Sequence, residues 1–147
     1  MKISLGCGEE IEDPKEWVNV DLIPVTSDVV VHDLNNYPWP FEDESAEYIK
    51  AKDLIEHILP GTIVTFMEEC YRILKEGGKL WVQTPSWDAD FLWIDPTHVR
   101  GFDIRSMDFF DPETDFGRSG GFITKAKFKV TAKELENKNL QFEMRKI

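Results

Sequence analysis

Positive charge is scarce in this chain. Its 147 residues carry 17 lysines and arginines against 28 aspartates and glutamates, a formal net charge of −11. Affinity for a phosphate backbone comes from clustered basic side chains, so this balance disfavours nucleic acid as a partner. The local cluster of Lys125, Lys127 and Lys129 reads as the exposed face of a strand. Cysteine is scarcer still, with only Cys7 and Cys70. These have no metal-ligand spacing and no framework of pairs, which fits a reducing compartment better than secretion. No apolar run reaches membrane-spanning length, and the first residues open into a strand pattern without a charged n-region or an apolar h-region. The expectation is a soluble, cytoplasmic protein with no membrane partner.

Apolar and aromatic residues are plentiful. With 41% hydrophobic residues, five tryptophans and ten phenylalanines, the chain has enough for one ordinary core and is too short for two. Internal repeats, low-complexity tracts and interdomain linkers are absent. Short apolar runs alternate with turn signals and one clear helix, the pattern of an α/β sheet. Strands are predicted from Ile3 to Leu5, Trp17 to Leu22, Asp28 to Leu34 and Tyr48 to Ala51, and the unbroken "VVV" of the third suits burial on both faces. Between Gly61 and Gly78 the period changes, with Ile63, Phe66, Met67, Cys70, Ile73 and Leu74 recurring three or four apart. Glu68 and Arg72 are spaced to pair on the opposite face, and Gly77 and Gly78 are expected to cap this helix. "KLWVQTP" reads as a fifth strand ended by Pro85. The aromatic segment from Ser86 to Glu113 reads as a loop with short helical pieces, a kind that often forms a lid or pocket wall. From Gly121 onward, two alternating blocks predict an antiparallel hairpin turning at Asn137 to Asn139.

In open α/β sheets, ligands sit beyond the carboxyl ends of the strands. Gly6 and Gly8 lie at the first such end, where a backbone without Cβ atoms can approach a ligand and donate its N–H groups to a carboxylate or phosphate. Asp21 ends the second strand, placed to accept both hydroxyls of a ribose. Asp33, with Leu34 beside it, ends the third and is placed to meet a base. Together these describe a site for an adenosine-type cofactor, although a Gly-x-Gly alone is common in plain turns. A nicotinamide dinucleotide matches less well. The G-x-G-x-x-G pattern needs a small residue where Ile11 stands, and Pro14 interrupts the stretch in which a pyrophosphate-binding helix would run.

The motifs "LGCG", "VNVDL", "VVHDLNNYPWPFEDESAEYIKAKDLIEHI" and "MEECYRILKEGGKLWVQTP" cover most of residues 3 to 86. In these the sequence resembles the class I S-adenosylmethionine-dependent methyltransferases. The resemblance implies an α/β fold, a doubly wound, mostly parallel Rossmann-like methyltransferase sheet with a C-terminal antiparallel hairpin, formed by one domain over residues 1–147. It implies S-adenosylmethionine as cofactor, with Gly6, Cys7 and Gly8 lining its methionine part and Asp21 holding the ribose, Leu22 alongside. Asp33 and Leu34 would contact the adenine, and Ala51, Lys52 and Asp53 would close the pocket near the sulfonium. The sequence departs from the family pattern at Ser4, where many members carry an acid, and at Glu10, where a third glycine is usual. The usual first helix is reduced to a loop.

Methyl transfer from a sulfonium is an in-line displacement, so alignment of nucleophile and methyl carbon supplies much of the rate. An amine or hydroxyl acceptor is helped by a base. His98, in "DPTHVRGF", is the candidate, with Asp95 to orient it and Arg100 to hold an anionic substrate group. The competing role for His98 is a structural hydrogen bond within the aromatic loop. Trp87, Phe91 and Trp93, just past the fifth strand, are placed to stack on a flat substrate. Tyr37 and Trp39 are placed to cover the adenine, though Trp39, between two prolines, suits simple packing. His57 and Cys7 also suit packing. Asp95 and His98 lack a third metal ligand in the sequence, so no metal is expected. The expected partners are a small-molecule or protein acceptor, and a second copy or a partner subunit. A catalytically silent cofactor-binding subunit is the alternative function, and an NAD(P)-dependent reductase ranks third.

Overall fold

The alternation of short apolar runs and turns folds into seven strands and one long helix. The computed structural model describes all residues, Met1–Ile147. The strands are β1 (Lys2–Leu5), β2 (Trp17–Asp21), β3 (Val29–Val31), β4 (Ala46–Lys52), β5 (Leu74–Pro85), β6 (Phe128–Glu136) and β7 (Asn139–Lys146). Helix α1 (Ile63–Ile73) joins β4 to β5, and a short α2 (Asp115–Gly120) precedes β6. All seven strands form one sheet in the order β3-β2-β1-β4-β5-β7-β6. β1 pairs in parallel with β2 and with β4, and β5 pairs in parallel with β4. β7 is antiparallel to both β5 and β6. This is the doubly wound, mostly parallel sheet with a C-terminal hairpin that the sequence predicts. The hairpin turns at Asn137 and Lys138, both with positive φ, as a two-residue turn between twisted strands requires. The connections leave β1 and β4 in opposite directions, so the carboxyl ends of these two strands border a crevice.

One cluster of 25 buried side chains runs through the sheet and α1, which makes a single core. Ile3 and Leu5 of β1, Ile49 of β4, Leu80 and Val82 of β5, and Phe142 and Met144 of β7 meet Phe66, Met67 and Ile73 of α1 there. Each large side chain buried in this way contributes roughly 1.5–3 kcal/mol.

Three local expectations are corrected. β3 is shorter than Asp28 to Leu34 and lies at the edge of the sheet, so only Val29 of "VVV" is buried while Val30 and Val31 are exposed. α1 ends at Ile73, because Leu74 is already extended and paired with Ala46. Gly77 and Gly78 therefore lie within β5, where it slips its register against β4, and not at the helix cap. Arg72 pairs with Glu69 rather than Glu68, through Nε–Oε1 at 2.6 Å and Nη2–Oε2 at 2.8 Å, and also donates to the Phe41 carbonyl and to Asp43, each at 2.7 Å. Glu68 instead accepts from the Thr124 hydroxyl and the Lys125 N–H. Trp39 is buried and donates its backbone N–H to Glu69 (2.8 Å) and its ring N–H to the Leu34 carbonyl (3.1 Å). The β3–β4 connection is thus clamped onto α1.

The lysine cluster is not one strand face either. Lys127 donates to the Gly121 carbonyl, and Lys129, the only one of the three within β6, pairs with Glu113. The aromatic segment holds two short 3-10 turns, Asp90–Leu92 and Ser106–Phe110, as predicted. Backbone bonds from Trp87 N to the Phe102 carbonyl and from Val99 N to the Glu56 carbonyl, both 2.9 Å, fold it back against the end of β4. No helix is long and apolar enough to cross a membrane.

Candidate functional site

β1 ends at Leu5, and the chain turns through Gly6 and Gly8 at φ of +61° and +52°. A side chain is strained in that conformation. A Cβ on Gly6 would also lie 2.8 Å from Leu54 Cδ1, whereas a Cβ on Gly8 would meet nothing within 4 Å. Leu54 thus packs where a Gly6 side chain would stand, while the Gly6 backbone still borders the open space at the strand ends. The Gly8 N–H donates to Asp21 Oδ2 (2.8 Å), and the Ile23 N–H donates to Asp21 Oδ1 (3.0 Å). One carboxylate therefore ties the turn after β1 to the turn after β2. Each of its oxygens keeps a second lone pair for another donor.

A cleft of about 580 Å³ opens at these strand ends. Gly6, Asp21, Leu22, Asp33, Leu34 and Asp53 line it, with Leu54, His57 and Thr97. A neighbouring hollow of about 380 Å³ shares Gly6 and Asp53 with the cleft and adds Cys7, Gly8 and Lys52. Of the predicted cofactor residues, only Ala51 lines neither. It is fully buried in the sheet, in register with Leu5 and Val82. Asp33 lies beyond the end of β3, where Oδ1 accepts from the Asn35 N–H (2.9 Å) and shapes its own turn. Cys7 is buried, and burial pushes its thiol up from its ordinary value, with Asp21 adding to the shift. The loop that replaces the usual first helix is strapped to the sheet. Lys52 pairs with Glu10 (2.6 Å), Lys50 pairs with Glu12 (2.5 Å), and buried Asn19 bonds both the N–H and the carbonyl of Glu12.

The aromatic segment brings His98 onto His57, with ring centroids 4.5 Å apart and edge to face. Glu56 is fully buried beside them, and one donor atom from each of the three residues lies within 4.8 Å of the others. Glu56 Oε2 accepts from the Thr84 hydroxyl (2.9 Å), while Oε1 is buried with no partner. Burial pushes this carboxyl up to about 7, and burial with the neighbouring His98 holds the His57 ring below its usual value. His98 Nδ1 lies 2.6 Å from the Leu92 carbonyl, which can only accept, so Nδ1 carries the hydrogen and Nε2 keeps a lone pair. Asp95, expected to orient His98, stands 3.6 Å from Nε2 and instead accepts from the Thr97 N–H (2.8 Å) and hydroxyl (2.6 Å). With its hydrogen committed to Asp95, the Thr97 oxygen accepts from His57 Nδ1 (3.1 Å). His57 Nε2 therefore also keeps a lone pair.

Glu56, Thr84 and Thr97 escaped the sequence reading. The adjacent acid and histidine of "LIEHI" were the available signal, but their meeting with His98 depends on the backbone bond between Val99 and Glu56. The predicted acceptor residues lie elsewhere. Trp87 and Trp93 are 58% and 61% exposed and line neither the cleft nor the hollow, with the Trp93 ring N–H donating to the Trp87 carbonyl (3.3 Å). Arg100 lines a separate hollow of about 360 Å³ with Phe102, Phe109, Phe110 and Phe116, and its buried Nε has no partner. Tyr37 and Trp39 stack on each other at 5.9 Å, away from the cleft. Trp39 serves the core, and the expected cover over the adenine is not formed by this pair.

A family model described as a methyltransferase domain matches residues 6–82, just over half of the chain. The chain belongs to the class I S-adenosylmethionine-dependent methyltransferase family. Solved members share this architecture at low identity. A SAM-dependent methyltransferase from Archaeoglobus fulgidus superposes with a TM-score of 0.68 at 17% identity, over 99% of this chain and 85% of that one. A chain from the Haloferax volcanii complex that contains the Trm112 methyltransferase activator gives 0.68 at 14% identity, over 99% and 81%. The Burkholderia thailandensis 1,6-didemethyltoxoflavin-N1-methyltransferase, solved with 1,6-didemethyltoxoflavin and S-adenosylhomocysteine, gives 0.67 at 13% identity, over 99% and 70%. No curated protein sequence matches the chain.

Proposed function

We propose that this chain transfers the methyl group of S-adenosylmethionine to a small-molecule or protein acceptor. The observation that carries this reading is the tie from Gly8 to Asp21, which holds a carboxylate with spare lone pairs at the mouth of a cleft formed by four strand ends. The hollow beside Cys7, Gly8 and Lys52 takes the methionine part, Asp21 takes the ribose hydroxyls, and Asp33 with Leu34 takes the adenine. Ala51 supports the floor beneath them. The Burkholderia protein of this fold was solved with S-adenosylhomocysteine and 1,6-didemethyltoxoflavin bound, which supports a cofactor site in such a domain.

The acceptor's lone pair attacks the methyl carbon, the carbon–sulfur bond breaks toward sulfur, and the acceptor loses a proton. His57 and Thr97 line the cleft and His98 stacks behind His57, so we assign activation of an acceptor hydroxyl or amine to this end, with His98 Nε2 as its basic atom. Trp87, Trp93 and Arg100 flank His98 along the segment outside the cleft, and we assign them contacts with the rest of the acceptor.

To test this, S-adenosylmethionine with a labelled methyl group is incubated with the chain and either the small-molecule or the protein fraction of a cell extract. Label should transfer in one fraction with release of S-adenosylhomocysteine, and Asp21→Ala should reduce it at sub-saturating cofactor. Cofactor binding with no transfer in any fraction would favour the second reading, a silent binding subunit completed by a partner. That reading draws on the exposed apolar side chains of Leu22, Ile23, Val25, Val30 and Val31 at the β3 edge, and on the activator complex of the Haloferax relative.

A further inference from the structure

We propose that Glu56, His57 and His98 bind one divalent transition-metal cation at the wall of the cofactor cleft, with Zn²⁺ the best chemical match. The binding claim stands on the cluster itself; only the use of the cation rests on the methyltransferase reading. Two imidazoles and one carboxylate are a donor set for zinc and its neighbours, whereas magnesium and calcium prefer all-oxygen sites.

Three observations point the same way. Both rings have Nδ1 committed as a donor, His98 to the Leu92 carbonyl and His57 to the Thr97 oxygen, so both present a fixed Nε2 lone pair. Hydrogen bonds from the far ring nitrogen are the usual means of orienting metal-bound histidine. Glu56 has one oxygen held by Thr84 and the other buried without a partner. A buried carboxylate oxygen left in that state is costly unless a cation or proton meets it. One ligating atom from each of the three residues already lies within 4.8 Å of the others. Around a tetrahedral ion with bonds of about 2.1 Å they would stand about 3.4 Å apart, so shifts on the order of 1 Å complete the site.

Asp95 Oδ2, 3.6 Å from His98 Nε2, is within reach as a fourth ligand, but its carboxylate is shared with Thr97 and partly exposed. The fourth position is therefore assigned to the acceptor. His57 and Thr97 line the cleft, so an acceptor oxygen there can approach the cation. With the cation bound, His98 Nε2 is a ligand in place of the base assigned above, and an acceptor hydroxyl on the cation releases its proton to solvent more readily. Its oxygen then takes the methyl group, and the electron pair of the broken bond stays on sulfur.

The test is calorimetric titration of the metal-stripped chain with Zn²⁺, alongside Glu56→Gln, His98→Gln and, as a control, His32→Gln at the one histidine outside the cluster, with circular dichroism to verify folding. The wild type should bind one equivalent, Glu56→Gln and His98→Gln should bind at least about tenfold more weakly, and His32→Gln should match the wild type. Co²⁺ should give visible bands without a thiolate charge-transfer band, which separates this site from one at Cys7. If the variants unfold, NMR of the wild type should show Zn²⁺ shifting the ring signals of His57 and His98. No saturable binding, equal affinity in all variants, or a thiolate band would overturn the proposal. A parallel titration with S-adenosylmethionine separates the two claims. Cofactor binding without Zn²⁺ binding sinks the cation site alone, and Zn²⁺ binding without cofactor binding sinks the methyltransferase reading while the site stands.

Discussion

Gly6 and Gly8 share a backbone conformation and differ in what surrounds them. Leu54 fills the space beside Gly6, while Gly8 opens to solvent and the hollow. Gly6→Ala combines strain at positive φ with a close approach to Leu54, and the expected loss is roughly 2–3 kcal/mol. Gly8→Ala carries only the conformational strain, about 1–2 kcal/mol. Urea denaturation should therefore place the Gly6→Ala midpoint below that of Gly8→Ala, and equal midpoints would remove Leu54 from the account. The sequence marks a glycine turn at the end of β1 and shows Asp21 beyond the next strand. It does not show what Gly6 makes room for, because Leu54 arrives from the far end of β4. For the same reason His98 was legible as a candidate and Glu56 was not. A local reading finds a histidine in a loop but cannot place the buried acid against which the loop closes.

The helix α1 was legible from its period, and its end was not. Apolar spacing carries through Leu74, but pairing of Leu74 with Ala46 draws that residue into the sheet and moves the glycines out of the capping position. β3 shows the converse, since three valines in a row look alike at the centre and at the edge of a sheet. The element that organises this side is Arg72, which joins α1 to the β3–β4 connection through Glu69, Asp43 and the carbonyls of Phe41 and Trp39. A planar guanidinium makes these contacts in fixed directions, and a lysine ammonium cannot reproduce them. Arg72→Lys should lower stability by roughly 1–3 kcal/mol with an unchanged urea m-value. A double-mutant cycle with Glu69→Gln should give a coupling of about 1 kcal/mol or more. Additive effects would mean that the pair is a surface contact without structural weight.

At the scale of the whole molecule, the sheet order brings the ends of β1, β2, β3 and β4 to one crevice, while the antiparallel hairpin of β7 and β6 extends the other side of the sheet. The alternation of strands and helix made this architecture readable from sequence. The compact loop in place of a first helix was readable too, though its strapping by Lys50, Lys52 and Asn19 was not, because those residues come from neighbouring strands. The central claim is that this crevice holds S-adenosylmethionine. Parallel calorimetric titrations with S-adenosylmethionine, S-adenosylhomocysteine and NADH test it most directly, with Asp21→Ala as the companion variant. The account predicts saturable one-to-one binding of the first two, none of NADH, and a loss of roughly 1–3 kcal/mol in Asp21→Ala, where the ribose hydroxyls lose their acceptor. Binding of NADH in their place, or affinity untouched by Asp21→Ala, would contradict it.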